Sequence, residues 1–271
     1  MSINTCYYYG GKNFGDSINN VFINFLADKT FTYTSKPSVP HYIVTGSVLR
    51  YSTSNSIVFG TGFIAENSRF DSSIPSKFIA VRGPLTRNKL LKLQIDCPTI
   101  YGDPLILFPL MYSPSIDYIP NVIGIIPHYI DKHTDTLRLL DSNLMSNRYT
   151  TRIIDIEVGT DYKKFIDTIM KCEIIISSSL HGMMMGIVYK KPTILVQFSN
   201  KLVGDLFKFN DFFASLDINY TVKNIYDVDV LHNIIQVDYT KVKEIGDRLL
   251  EVAPFIDEER KVYLRQQYRL Y

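Results

Sequence analysis

The stretch IISSSLHGMMMGIVYKKPTILV, residues 175–196, decides the fold class because two apolar runs flank a segment of helix length. The pattern predicts a strand over 173–177, a helix over 182–189 and a second strand over 193–198. Strands that alternate with helices are typical of βαβ units and a parallel sheet. Three serines and His181 occupy the turn before the helix, and they are either groups that do chemistry or ordinary turn residues.

The same alternation extends over most of the chain. It predicts further strands at 3–9, 42–45, 57–59, 77–81, 99–101, 122–126 and 152–157. It predicts further helices after Asp16 and at 83–93, 131–145, 162–171 and 240–249. We therefore expect an α/β fold of two doubly wound domains, 1–116 and 117–271, that are joined near the turn-rich segment 112–121 and face each other across a cleft. The last helix is expected to pack back on the first domain.

Composition and charge exclude several classes of protein. The chain has 271 residues, of which 46% are hydrophobic, and this content supports packed cores. A net charge of +2 gives no basic face for nucleic acid. Three widely spaced cysteines form neither a disulfide framework nor a zinc motif, so we predict a reducing, cytoplasmic location. We expect no signal peptide and no membrane span, because no apolar run reaches about 18 residues.

The loops that follow the predicted strands are the candidate site, because ligands of doubly wound folds bind at the carboxyl ends of strands. These loops are YGGKNFGD (9–16), FGTGF (59–63), VRGPLTR (81–87), YGDP (101–104), IPHYIDKH (126–133) and SSSLHGM (177–183). The glycine-rich first loop matches neither the dinucleotide nor the P-loop spacing. Asp16 at its end is either the N-cap of the next helix or a ligand for a hydroxyl group.

Charged residues in the other loops have two interpretations each. Arg82 ends a strand before a helix, so it either clamps a carboxylate or phosphate or pairs with a carboxylate at the surface. Asp103 is either a turn residue or an acceptor for a sugar hydroxyl. His128 and His133 lie five residues apart and lack the carboxylate of a helical zinc motif. We expect no metal and no cofactor.

His181 lies in the predicted first turn of its helix, behind Ser177, Ser178 and Ser179. The positive end of a helix favours a neutral imidazole, which suits a general base or a hydrogen-bond donor. The serines could cap the helix or help to hold an anion. The loop is not GxSxG, which argues against a hydrolase nucleophile. We interpret Met183–Met185 as core filler, because consecutive residues cannot share one helical face.

Seven motifs follow one another between residues 5 and 216. They are NFGDSIN (13–19), FGTGFI (59–64), VRGPLTR (81–87), YGDPLILFP (101–109), IGIIPHYIDKH (123–133), ISSSLHGMMMGIVYKKPTILV (176–196) and KFNDFFASL (208–216). Together they resemble the polysaccharide pyruvyl transferase family. The resemblance implies a GT-B-like fold of two Rossmann-like domains. It also implies transfer of a pyruvyl group from phosphoenolpyruvate to sugar hydroxyls of a glycan or glycan precursor, with formation of a ketal.

The resemblance implies roles for single residues. His181 matches the family's LHG histidine, which assigns it acid/base catalysis and contact with phosphate. On the donor side, the expected residues are Arg82, Ser178, Ser179 and Lys201. Asp16 is the expected catalytic group for the acceptor hydroxyl. The other expected residues on the acceptor side are Asn13, Asp103 and His128.

One position departs from the family pattern. Some characterised members have an arginine where this chain has Ser179, so a cation for the donor must come from elsewhere, with Arg87, Lys191 and Lys201 as candidates. The alternatives are a GT-B-like glycosyltransferase that uses a nucleotide-sugar and a catalytically silent glycan-binding protein. The expected partners are phosphoenolpyruvate and a sugar or oligosaccharide acceptor, and the pattern specifies no oligomeric state.

Overall fold

Two parallel sheets of five strands each form the framework of the molecule. The computed structural model describes residues 5–7, 11–34, 38–225 and 230–271. The first sheet consists of β1 (Thr5–Tyr7), β2 (Thr32–Thr34), β3 (His41–Ile43), β4 (Ser56–Phe59) and β5 (Lys77–Ala80). The second consists of β6 (Val122–Ile126), β7 (Thr150–Ile153), β8 (Ile174–Ser177), β9 (Thr193–Gln197) and β10 (Lys223–Asn224). The predicted α/β class with Rossmann-like parallel sheets is confirmed.

Both sheets have the same strand order. The first runs β2-β1-β3-β4-β5, and the second, taken in the matching direction, runs β7-β6-β8-β9-β10. In each sheet the chain moves to one side of its first strand and then returns to the other side. This return creates a switch point between β1 and β3 and another between β6 and β8, and such points are where ligands of doubly wound folds bind.

Nine α-helices accompany the strands within the described residues. They are α1 (Phe14–Ser17), α2 (Asn19–Ala27), α3 (Pro84–Lys92), α4 (Asp135–Ser146), α5 (Tyr162–Met170), α6 (Leu180–Val188), α7 (Phe207–Ser215), α8 (Tyr239–Val252) and α9 (Glu258–Leu270). Every residue of α6 is buried, so the interpretation of Met183–Met185 as core residues is confirmed. A helix that is apolar on all sides requires such burial.

The largest hydrophobic cluster contains residues of both sheets. Tyr42 and Phe59 of the first sheet belong to it together with Ile126 and Ile175 of the second. Two smaller clusters involve one sheet each. Residues 112–119 between the halves form neither helix nor strand. The division into domains 1–116 and 117–271, and a cleft between them, stay predictions.

The C-terminal helices contact the half of the chain that forms the first sheet. Arg260 on α9 donates to the carbonyl oxygen of Phe25 at 2.8 Å. Phe255, between α8 and α9, packs edge-on against Phe59 and Tyr42, with ring centroids 5.1 and 5.3 Å away. The end of the chain therefore completes a core that begins near its start.

Two features of the described residues concern membranes and metals. None of the helices there combines the length and the apolar character that crossing a membrane requires. No three His, Cys, Asp or Glu side chains in these ranges are grouped so as to hold a metal ion. The cytoplasmic location stays a prediction.

Candidate active site

A cavity of about 170 Å³ is lined by loops from both switch points. The loops after β1 and β3 contribute Asp16 and Ser47, and the loops after β6 and β8 contribute His128 and Ser179. Because the carboxyl ends of parallel strands carry these loops, the cavity lies where the strand order predicts a ligand.

His181 lines this cavity as the second residue of α6, although only 6% of the residue is exposed. Its ring lies so close to Gly15 that a Cβ on Gly15 would overlap the imidazole. Among the described residues, His181 Nε2 is the one side-chain nitrogen or oxygen that is shielded from solvent and lacks a hydrogen-bond partner. Buried polar atoms of native proteins normally have partners, so this nitrogen is a candidate contact for a ligand atom.

The surroundings keep the His181 imidazole neutral at pH 7. Burial lowers the pKa of His181 to about 3, and the positive charges of Lys208 and Arg82 act in the same direction. The neutral form agrees with the expectation from the helix position, but burial is the larger cause. A neutral Nε2 can accept a hydrogen bond or a proton from a bound group.

Asp16 borders the same small space as His181. A methyl group on Gly46 would lie 3.3 Å from Asp16 Oδ1 and 4.0 Å from His181 Nε2. The interpretation of Asp16 as an N-cap is wrong, because Asn13 occupies that position and its side-chain oxygen accepts from the N–H of Gly15 at 3.2 Å. Asp16 therefore lines the cavity instead of capping a helix, and burial raises the pKa of its carboxyl group to about 6.

His128 and Ser178 connect the loops after β6 and β8. The N–H of His128 donates to Ser178 Oγ at 2.8 Å, and this hydroxyl donates to Asp131 at 3.2 Å. Ser178 is fully buried, and its hydroxyl already has two partners within the protein. It therefore links the loops after β6 and β8 instead of making the predicted contact with the donor. Ser179 does line the cavity, as the N-cap residue of α6 whose hydroxyl makes no capping bond.

Lys208 is the cavity residue that the sequence did not reveal. It is the second residue of α7, it lines the cavity, and only 6% of it is exposed. Burial lowers the pKa of Lys208 to about 8, and the nearby charge of Arg82 acts in the same direction. The available signal was that Lys208 is the one cationic residue of the motif KFNDFFASL.

The three cations proposed as substitutes for the family arginine differ in position. Lys201 lines the cavity with an exposed side chain. Arg87 donates to the carbonyl oxygen of Cys97 at 2.8 Å. Lys191 lies over the ring of Tyr118, 5.3 Å from the centroid. Of these three, Lys201 alone belongs to the cavity wall.

Arg82 is found neither in contact with a ligand nor in an ion pair at the surface, which were the two predicted environments. It is fully buried, and its Nε donates to Asp211 at 3.0 Å. Nη1 donates to the oxygens of Gly46 and Ser47, and Nη2 donates to the carbonyl of Phe63 and lies 3.0 Å from Asp211. Four of the five N–H groups of a guanidinium donate to these oxygens and the side chain does not line the cavity, so Arg82 is not placed to clamp a donor. Arg82 instead positions the loop after β3 and helix α7.

The carboxylate of Asp103 is also bound by groups in the protein interior. It accepts from the hydroxyl of Thr45, from the N–H of Gly46 at 3.0 Å and from the N–H of Leu105 at 3.1 Å. The residue is fully buried and does not line the cavity. The predicted contact with the acceptor is therefore replaced by support of the loop that carries Gly46 and Ser47.

Replacing Asp211 by asparagine is expected to lower the free energy of unfolding by about 3–5 kcal/mol, because it leaves the buried charge of Arg82 without its counter-ion. Chemical denaturation measures this. The matched control is Asp71→Asn, which breaks an ion pair with Arg50 whose side chains are 42% and 40% exposed. Exposed pairs contribute at most about 1 kcal/mol. Equal losses in the two variants would contradict the positioning role of the Arg82–Asp211 pair.

Comparison with known proteins agrees with this geometry. The family model described as "Polysaccharide pyruvyl transferase" matches residues 3–200. The chain belongs to this family. Membership makes it a transferase for pyruvyl groups with glycans as the class of acceptor. The matched residues include Asp16, Ser179 and His181 and end before Lys208.

One relative of full length is also found. An uncharacterized protein of Acanthamoeba polyphaga mimivirus is 27% identical over an alignment of 287 positions, gaps included. The alignment covers 98% of this chain and 96% of that protein. The similarity therefore extends through the C-terminal helices, beyond the part that the pyruvyl transferase family model matches.

Proposed function

We propose that the chain transfers the pyruvyl group of phosphoenolpyruvate to two hydroxyls of a sugar in a glycan or glycan precursor, forming a cyclic ketal and releasing phosphate. The observation that carries this proposal is the unpartnered Nε2 of His181, which borders the same space as Asp16 at the N-terminus of α6. This arrangement offers proton-transfer groups and an anion-binding helix end in one cavity.

The reaction defines what the site has to do. Two C–O bonds form at C2 of phosphoenolpyruvate, one to each acceptor hydroxyl, and the bond between C2 and the phosphate oxygen breaks. One hydroxyl proton is balanced by protonation of C3, which becomes a methyl group, and the other leaves with phosphate. The site therefore needs a base for the hydroxyls, an acid for C3, and contacts for a carboxylate and a phosphate.

Asp16 and His181 divide the proton transfers. Asp16, with a pKa raised to about 6 by burial, is largely ionised at pH 7 and accepts a proton from the attacking hydroxyl. The low pKa of His181 applies to the cavity without an anion. A phosphate dianion beside the ring raises that pKa, so His181 takes up a proton with the donor and delivers it during the reaction. Asn13 and His128 are the proposed contacts of the acceptor sugar.

The value of kcat/KM for the donor is expected to depend on pH through two groups of the protein. It should rise up to about pH 6 as Asp16 ionises and fall most steeply above about pH 8 as Lys208 loses its proton. The donor phosphate also ionises near pH 6, but the proton that His181 takes up with the donor offsets this ionisation, so the acid limb should have a slope of one. In Asp16→Asn the acid limb should become flat, and kcat should drop about 10²–10⁴-fold. An acid limb that stays equally steep in this variant would remove Asp16 as the base.

Phosphate release tests the reaction itself. Purified protein is incubated with phosphoenolpyruvate and a panel of sugars and oligosaccharides, and the products are weighed by mass spectrometry. Parallel incubations with nucleotide-sugars test the glycosyltransferase alternative. Turnover of a nucleotide-sugar without phosphate release from phosphoenolpyruvate would refute the proposal. Tight glycan binding without turnover of either donor would instead indicate a catalytically silent binding protein.

A further inference from the structure

Lys208 is a largely buried lysine that has no counter-ion among the described residues. Within the described residues its Nζ has no carboxylate at ion-pair distance and no hydrogen-bond acceptor, and its ammonium lies over the ring of Phe209, 5.4 Å from the centroid. Buried charges of native proteins are normally paired, because desolvation of a single charge is costly. A lysine that is 6% exposed and still lines a cavity therefore indicates a place for an anion.

The charged groups around Lys208 do not replace such an anion. Arg82 is already neutralised by Asp211, one helical turn from Lys208 on α7. Asp131 accepts hydrogen bonds from the hydroxyls of Ser178 and Ser199. Asp16 attracts Lys208 only through space, without an ion pair in the part of the chain that the structure describes. The remaining ionisable groups that line the same cavity are His128, His181, Lys201, Tyr51 and Tyr129.

A second feature favours an anion at the same place. Helix α6 has nine residues, and its N-cap residue Ser179 makes no side-chain capping bond. Ser179, Leu180 and His181 at the start of this helix line the cavity that Lys208 also lines, and the positive dipole end of a helix favours an anion. An ammonium and a helix N-terminus at one cavity suit a small ligand with two anionic groups, such as a carboxylate and a phosphate.

We infer that Lys208 binds an anionic group of the donor and so takes the place of the cation that other members of the family carry at the position of Ser179. This inference rests on the proposed function only for the identity of the donor. Lys208 reaches the site from α7, which the buried pair of Arg82 and Asp211 fixes to the end of β5. The same charge lowers the pKa of His181 and His128 before an anion arrives.

Calorimetric titration with phosphoenolpyruvate and with inorganic phosphate tests the inference without turnover. Lys208→Met is expected to weaken binding of both probes about 10- to 100-fold, as for loss of a charge-assisted hydrogen bond. The matched control is Lys164→Met, which removes an exposed lysine of α5 that does not line the cavity and is expected to leave affinity nearly unchanged. Lys208→Arg keeps the charge and should retain most of the affinity. Thermal unfolding verifies that each variant is folded.

Two further measurements use other readouts. In the unmodified protein, affinity for phosphoenolpyruvate should fall above about pH 8, because the Lys208 ammonium loses its proton there while the donor keeps its charge. In Lys208→Met, the pKa of His181 followed by NMR should rise. The inference is overturned if Lys208→Met loses no more affinity than Lys164→Met, or if affinity is constant from pH 7 to 9.5.

The outcomes also separate this inference from the proposed function. Anion binding that depends on Lys208, in a protein that turns over no phosphoenolpyruvate with any acceptor, would support the anion site and refute the reaction. Phosphate release from phosphoenolpyruvate with an unchanged KM in Lys208→Met would support the reaction and refute the role of Lys208.

Discussion

His181→Ala is expected to lower kcat for phosphate release from phosphoenolpyruvate by about 10²–10⁴-fold, the usual contribution of a positioned acid or base. The reason is that Nε2 is the buried nitrogen left free for a ligand among the described residues. The matched control is His133→Ala, which removes an exposed histidine from the loop after β6 and is expected to leave kcat unchanged.

Stability measurements complete this experiment. Within the described residues, Nε2 of His181 has no hydrogen-bond partner, so alanine removes packing against Gly15 but breaks no hydrogen bond of that atom. The variant should remain folded by circular dichroism and unfold at a temperature close to that of the parent. Full activity in a folded His181→Ala protein would remove His181 from the mechanism.

Gly15→Ala is expected to reduce kcat about 10²-fold or more without any change in a polar group. A Cβ at this position overlaps the His181 ring, so the imidazole must move, and misplacement of a catalytic group by about 1 Å costs this much. Gly159→Asn is the control, because a Cβ there meets no atom within 4 Å and asparagine tolerates its φ of +57°.

A double-mutant cycle makes the Gly15 prediction specific. If Gly15→Ala acts by displacing His181, it should cost little more in a protein that already carries His181→Ala. Strictly multiplicative losses would show that Gly15→Ala acts elsewhere, for example by distorting the first turn of α1. The two single variants must unfold at similar temperatures for this comparison to hold.

Much of the framework could be predicted from the sequence, because apolar runs and helical periodicity are local. Helix α9 was missed because only Leu264 and Tyr268 of its residues are buried, so its apolar stripe is narrow. Helix α7 was missed for the opposite reason, since it is buried on most sides and has no clear periodicity. The strands β2 and β10 have three and two residues, too few for an alternating pattern.

The candidate site was only partly predictable. Strand-end position predicted a ligand near Asn13, Asp16, His128, Ser179 and His181, and all five line the cavity. Lys201 also lines it, but it was expected only from the resemblance. Strand-end position does not distinguish a polar side chain that lines the cavity from one that is buried behind it. For this reason the sequence assigned Arg82, Asp103 and Ser178 to ligand binding. The partner that decides the role of Arg82 is Asp211, which is remote in sequence. Lys208 was missed because its position depends on how α7 packs against α3.

The position of Phe255 has a consequence for how the chain folds during synthesis. Phe31, Tyr42 and Phe59 are made early, yet each packs its ring against Phe255, which is made near the end. Domains usually fold one after another as they leave the ribosome. Here these aromatic side chains lack Phe255 until almost the whole second half of the chain has been made. Chaperones can bind them during that interval.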